Sequence, residues 1–348
     1  MTPGSPPLLT NPDVRGRHLL VLPGDVGPAE VEVLAVSRFP RAVWEVDPGA
    51  RSGRAAARTG LLRLSRHSTL HGPFVLDDDS RHTLRLPATA GLAYALHDTV
   101  DRGDAPWPGG GDRDGLGRAF PRGLPVRDAD RSVTWLVAAA RRLGGAVRIA
   151  AREPSDPGTL LVPDPAAAVD LTVWSDIWLD PDAALTVLRR VAPSARLNLP
   201  DGTWTGPANR PRVVPGTEPL DEEVKAVLHA IAEERDAVTM AEPPPMTGYG
   251  ALVGMELDGL VALEIGGETE LPPVLQRVAW AARGAITYRV RWEPWEIGAL
   301  EDERPPTAHR IARARATRVV VAIARAVHAE VGGEITDAMD FVVDPQDL

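Results

Sequence analysis

Cysteine is absent from this 348-residue chain, and Lys225 is its only lysine. Without cysteine there are no disulfides, no thiolate-ligated zinc, no iron–sulfur cluster and no thiol nucleophile. A Schiff-base or phosphate-loop lysine would have to be Lys225, which follows Glu222 and Glu223 in an ordinary helix start. Neither Gly-x-Ser-x-Gly nor Ser-x-x-Lys occurs, so the common serine-nucleophile frameworks are missing too. No run of eighteen apolar residues occurs, and no membrane-spanning segment is expected. The Pro/Ser/Gly-rich stretch 1–14 lacks a basic patch followed by an apolar core. It reads as a flexible tail, with the cytoplasm as the expected compartment.

What the chain does hold is 44% apolar and 25% charged residues, with 34 prolines and 32 glycines. That balance belongs to a globular chain, and its length allows two domains or one domain of two similar halves. The near-replacement of lysine by arginine is the imprint of a GC-rich genome, so arginine clusters carry less functional weight than usual. A net charge of −10 disfavours nucleic acid and anionic lipid as partners, because phosphate binding needs a positive field.

Taken in order, the apolar run 18–22, a helix over 29–38 and an alternating strand at 42–46 form a βαβ-like opening. The Arg/Ala-rich stretch 50–64 suggests a short helix. Two apolar runs around Asp77-Asp78-Asp79-Ser80 read as a hairpin over 74–86. A helix is expected over 89–100, from Leu92, Ala95, Leu96 and Val100 on one face. A long Pro/Gly/Asp/Arg loop fills 102–128, and a helix over 131–143 ends at Gly144-Gly145 before strands at 146–150 and 160–162.

The same order then restarts. A strand with two tryptophans lies at 170–179, and Asp180-Pro181-Asp182 opens a helix with a capping aspartate and proline in its first turn. A return strand at 195–199 precedes a Pro/Gly loop over 200–219 and an amphipathic helix over 220–234. A triple-proline connector follows at 242–246. An Asp-Gly hairpin spans 251–265; a helix over 271–283 and a strand at 286–292 come next. A long helix over 307–331 ends at Gly332-Gly333 before strands at 334–338 and 341–343.

The offset between matching elements is roughly 150 residues at the start and roughly 180 at the end. This predicts an α+β fold with a first half over 15–165 and a second over 166–348. The halves are read as an internal duplication of a mixed-sheet module, of split βαβ, ferredoxin-like flavour. The excess in the second half is assigned to the strand at 286–292, set against the loop around 106–121.

Two candidate sites stand out. Arg289, Arg291, Trp292, Trp295 and Glu296 combine tryptophan and arginine, the side chains that dominate binding hot spots. The bland reading buries Trp292 and pairs the arginines with neighbouring glutamates. His67, His71, Asp77 and His82 offer imidazoles and a carboxylate of the kind that hold a divalent metal, against the reading of a solvated turn. The glycine-rich Pro108 to Gly117 lacks the strand-to-helix context of a phosphate loop; Pro23 to Gly27 has that context but lacks the third glycine of the dinucleotide fingerprint, and Pro28 removes an amide, so no cofactor is expected.

The leading expectation is a non-catalytic binding protein that uses the surface between its two halves, with a protein or small-molecule ligand as partner. The alternative is an enzyme with carboxylate or histidine chemistry in the cleft between them, drawing on a divalent metal.

Overall fold

The apolar run at the start of the chain becomes a strand buried on both faces. In the computed structural model, which describes residues 14, 16–49, 59–150, 157–198, 221–241 and 246–348, β1 (His18–Pro23) lies between β5 (Ala90–His97) and β6 (Ala146–Ile149). The tail (Val14 aside), the stretch 50–58, the Pro/Gly loop and the proline connector (Met246 aside) fall outside the described residues.

The fold is α+β, with helices on two antiparallel seven-stranded sheets. Helix α1 (Pro28–Arg38) carries the chain to the sheet edge at β2 (Val43–Val46). The chain returns through β3 (Gly60–Arg63) and β4 (Thr69–Val75) to β5 beside β1. This meander explains why the named strands pair antiparallel throughout, where βαβ pairing is expected from the sequence: β1 and β2 are not neighbours. Helix α2 (Asp78–Thr83) follows β4, and α3 (Leu116–Ala119) and α4 (Arg127–Arg142) precede β6; β7 (Thr159–Leu161) completes the sheet.

The second sheet starts with β8 (Leu171–Ser175), α5 (Pro181–Val191) and β9 (Arg196–Asn198), followed by helix α6 (Glu222–Ala241). The hairpin of β10 (Gly248–Gly254) and β11 (Leu260–Glu268) leads to β12 (Ala285–Glu293). Helix α7 (Thr307–Val331), β13 (Glu334–Asp337) and β14 (Val342–Val343) close it. Counted within its own half, each sheet runs second, third, fourth, fifth, first, sixth, seventh. Register agrees too. Val21 pairs with Ala146, the residue after Gly145, and Trp174 pairs with Glu334, the residue after Gly333. Leu20 faces Tyr94 as Val173 faces Tyr288, and both tyrosines are fully buried.

Several expected elements differ: the end of the stretch 50–64, read as a short helix, is strand β3, paired with β2 and β4, and the expected loop over 102–128 holds α3. The segment 89–100 is strand β5, not a helix. Its run Ala93-Tyr94-Ala95-Leu96 is buried on both faces, so the alternation that marks a strand is absent and the helix-forming alanines mislead. β5 is the positional counterpart of β12, so the strand at 285–293 is no addition to the second half. The acidic turn at 77–80 starts α2 instead of closing a hairpin: the Asp77 carboxylate accepts from the Ser80 amide at 2.8 Å. The segment 271–283 winds through three-residue turns, Leu275 to Pro272, Val278 to Leu275 and Ala281 to Val278. It lays Leu275 and Val278 over Trp174.

Helix α4 packs Val133, Trp135 and Leu136 on Leu20, Leu70, Leu96 and Val147. Helix α7 packs Val320, Ile323 and Val327 on Val173, Leu263 and Tyr288, with Arg310, Arg318 and Arg325 on its exposed side. Each such aliphatic side chain contributes about 1.5–3 kcal/mol by leaving water. The halves also touch. Phe341, from the turn after β13, is buried in the first half's core. Arg38 donates to the Met339 carbonyl at 2.9 Å and pairs with Asp340 at 3.1 Å.

Both double glycines perform one task. A Cβ at Gly145 would stand 2.3 Å from the Val21 carbonyl oxygen, and one at Gly333 would stand 1.9 Å from the Trp174 oxygen. Gly333→Ala, also strained at φ +85°, is therefore expected to cost about 3 kcal/mol or more in urea unfolding. Gly144→Ala meets no atom within 4 Å but sits at φ +64°, and should cost about 1 kcal/mol. Gly254→Ala, in open space, should stay within about 0.5 kcal/mol. Equal stability of the three variants would contradict the close backbone approach.

Candidate functional site

Strand β12 alternates as a strand must. Tyr288, Val290 and Trp292 point into the second core, while Arg289 and Arg291 face the other side of the sheet. Arg289 pairs with Glu268 at 2.8 Å, and Arg291 with Glu264 and Glu293. Cross-strand ion pairs of this exposed kind stabilise by about 0–1 kcal/mol. Trp292 is buried, its ring 5.0 Å from that of His309. Of the five residues predicted on this segment, Arg291, Trp295 and Glu296 are exposed, Arg291 within its ion pairs.

The two tryptophans nevertheless act together. The Trp292 indole donates to the Asp258 carbonyl at 2.8 Å, and the Trp295 indole to the Glu256 carbonyl at 2.9 Å. Both grip the turn between β10 and β11, whose Met255 amide donates to the Gly259 carbonyl. The turn thus presents Leu257 outward. Past Trp295 the chain makes a short 3₁₀ helix, Ile297–Glu301.

The loop of the first half lands on that helix. The Asp112 amide donates to the Glu301 carbonyl at 2.9 Å, and Gly111 leaves no room for a side chain beside Glu301. Arg118 in α3 pairs with Glu303 at 2.7 Å. The loop turns tightly just before, the Gly110 amide donating to the Trp107 carbonyl. Four large apolar side chains are therefore displayed where the halves meet: Leu257 at 90% exposure, Trp107 at 83%, Ile297 at 69% and Trp295 at 66%. Displayed aromatic and aliphatic groups grouped like this mark interaction surfaces, whereas single ones are commonplace. Glu296, Glu301 and Asp302, on the same segment as Trp295 and Ile297, are exposed as well.

Sequence reading missed Trp107, Leu257 and Ile297. Trp107 carried a signal, a tryptophan between Pro106 and Pro108 with no strand or helix to bury it. Leu257 carried a fainter one, an apolar residue at the tip of an Asp-Gly turn.

The predicted metal residues serve local structure. His67 lies beside Arg66, its Nε2 2.7 Å from the Arg66 Nε. His71 stacks on His97 with ring centroids 4.1 Å apart, and burial lowers its pKa. Asp77 caps α2, and His82 lies in the last turn of that helix. No group of three or more His, Asp or Glu side chains suited to a metal occurs among the described residues.

Compared with protein-family models, with curated proteins and with solved structures, the chain matches none.

One half-buried carboxylate supports the display. Asp170 accepts from the Trp292 amide at 3.0 Å. Burial raises its pKa; the Trp292 hydrogen bond and Arg291 oppose that rise. A folded carboxyl with a raised pKa holds more protons than the unfolded chain does just above its ordinary value. Stability is therefore lost as pH rises through that window. Asp170→Asn keeps an oxygen to accept the amide and removes the charge. The variant is expected to equal or exceed the wild type in urea unfolding at about pH 7, and to lose that advantage near pH 3.5. A pH-independent offset would contradict burial of the charge.

Proposed function

We propose that the chain is a non-catalytic binding protein whose partner docks where the two halves meet. The observation that carries this reading is the group Trp107, Leu257, Trp295 and Ile297, drawn from both halves and held out by backbone contacts. Tryptophan combines large apolar area with a polar handle and few rotamers, which suits it to binding hot spots. Between 293 and 304 the chain has five carboxylates and one arginine. Glu293 is answered by Arg291 and Glu303 by Arg118, which leaves a negative rim. The complementary partner is a protein segment presenting basic and apolar side chains together.

An internal duplication accounts for this arrangement. The shared strand order and register support descent of 15–165 and 166–348 from one module. In this reading the copies diverged in the loop before α4 and in the segment after β12, and those two segments now touch. A cytoplasmic setting is part of the same proposal.

The test uses fluorescein-labelled peptides of alternating leucine with lysine, and of alternating leucine with glutamate, read by anisotropy. The lysine peptide should bind and the glutamate peptide should not. Trp107→Ala and Trp295→Ala should each weaken binding by about tenfold or more, and added salt should weaken it further. Equal binding of both peptides, or unchanged affinity in both tryptophan variants, would contradict the proposal.

A further inference from the structure

The halves meet at a second place, which shares no residue with the displayed group, and a cavity of about 290 Å³ opens there. Helix α4 of the first half walls it on one side, and α7 with the strands after it on another. The junction between the halves, 165–171, supplies the rest. Its volume is near the lower end of the roughly 300–1,000 Å³ of small-molecule sites, which favour the boundaries between domains. Most of the wall is aliphatic, with Ala138, Val169, Leu171, Val321 and Val343 among its members.

Three charged side chains interrupt that wall: Arg141, Arg142 and Asp337. Arg141 is only 4% exposed. Its Nη2 donates to the Asp114 carboxylate, while its Nε–H and Nη1–H are buried with no acceptor. Donors left idle in an interior are rare and costly. The Asp337 carboxylate is half used as well. Its Oδ1 accepts from the Met339 and Phe341 amides at 2.8 and 3.0 Å. Its Oδ2 accepts from no described residue, and the Arg142 Nη1 stands 3.9 Å away, beyond hydrogen-bond reach. A cation and an anion thus lie side by side on the cavity wall without closing on each other.

We propose that this cavity binds a free α-amino acid with an aliphatic side chain, its carboxylate on Arg141 and Arg142 and its ammonium on the Asp337 Oδ2. An α-amino acid carries its two ionic groups as close neighbours, and set against Arg142 and Asp337 the four charges alternate in sign. Arginine recognises carboxylate through charge-assisted hydrogen bonds. A plain carboxylate would meet the Asp337 charge, and a plain amine would meet two guanidinium groups. The aliphatic wall receives an apolar side chain and penalises a polar one.

The titratable groups agree with this assignment. Burial lowers the Arg141 pKa, against the pull of Asp114. A ligand carboxylate favours the charged guanidinium in the same way that Asp114 does. Burial raises the Asp337 pKa, against the Phe341 and Met339 amides and Arg142 and with a push from Asp340. A ligand ammonium favours the ionised carboxylate. Each ionic group of the ligand therefore supports a charge that burial disfavours.

The test is titration calorimetry of the full chain with L-leucine, 4-methylpentanoate, L-leucinamide and glycine, with circular dichroism to confirm that each variant is folded. L-Leucine should bind. The other three lack the ammonium, the carboxylate and the aliphatic body in turn, and each should bind about tenfold or more weakly. Arg142→Gln should weaken leucine by about tenfold and leave leucinamide unchanged. Asp337→Asn keeps an oxygen for the two amides; it should weaken leucine and leave 4-methylpentanoate no weaker. If that variant fails to fold, leucine against 4-methylpentanoate on the wild type decides the same point. Failure of leucine to bind, equal binding of 4-methylpentanoate or glycine, or unchanged leucine affinity in a folded Arg142→Gln chain would each overturn the proposal. So would equal binding of leucinamide, which would point to the N-terminal residue of a peptide instead.

Discussion

The close approach of a glycine to a strand carbonyl governs how each half of this protein is put together. Gly145 lies against the Val21 oxygen and Gly333 against the Trp174 oxygen, at distances that leave no room for a Cβ. A helix ending this close to the central strand must feed its next residues directly into the neighbouring strand. In the first half that sets Val21 against Ala146 and Leu19 against Arg148. The register then brings the Ala150 amide to the ring of His18, and that hydrogen bond decides which imidazole nitrogen carries the proton. A backbone contact at one end of β1 thus determines the chemistry at the other.

The halves share a scaffold and differ in what decorates it. Where the central strand begins, the first half has Arg17 and His18, and by register the second has Asp170 and Leu171. Asp170 accepts the Trp292 amide in the second half, whereas the first half opens a cavity there. Arg118 lines that cavity and pairs with Glu303 of the other half. Net stability in proteins is a small difference between large terms. A chain of this kind tolerates a few displayed tryptophans and a half-buried carboxylate only because two well-packed cores support them.

Much of the fold was legible in the sequence. The long helix α7, the Asp180 cap, the Asp-Gly hairpin and the double glycines each rest on local rules that tertiary structure did not override. β5 was not legible, because a strand buried on both faces loses its alternation and its alanines read as helix. The segment 271–283 has helical spacing of apolar residues that suits successive three-residue turns equally well. The candidate surface was legible in part. Trp295 and Glu296 stood out, and so did the loop around 106–121 as a segment, but their adjacency depends on the Asp112–Glu301 contact between residues far apart in sequence. His18 was read only as part of an apolar run, since nothing local reveals an amide from residue 150 at its Nδ1.

That the loop of the first half lies on the 3₁₀ helix of the second underlies the composite surface, and the absence of native cysteine makes it directly testable. An ideal Cβ on Gly111 lies 2.3 Å from the Cβ of Glu301, so a small relaxation brings the pair to the roughly 3.5–4.5 Å of a disulfide. A chain carrying Gly111→Cys and Glu301→Cys, mildly oxidised, should form an intramolecular disulfide nearly completely, seen as the loss of two hydrogens by mass and of both thiols to alkylation. If both thiols remain free to alkylating reagent while the chain stays folded, the two halves do not meet through these segments and the composite surface does not exist.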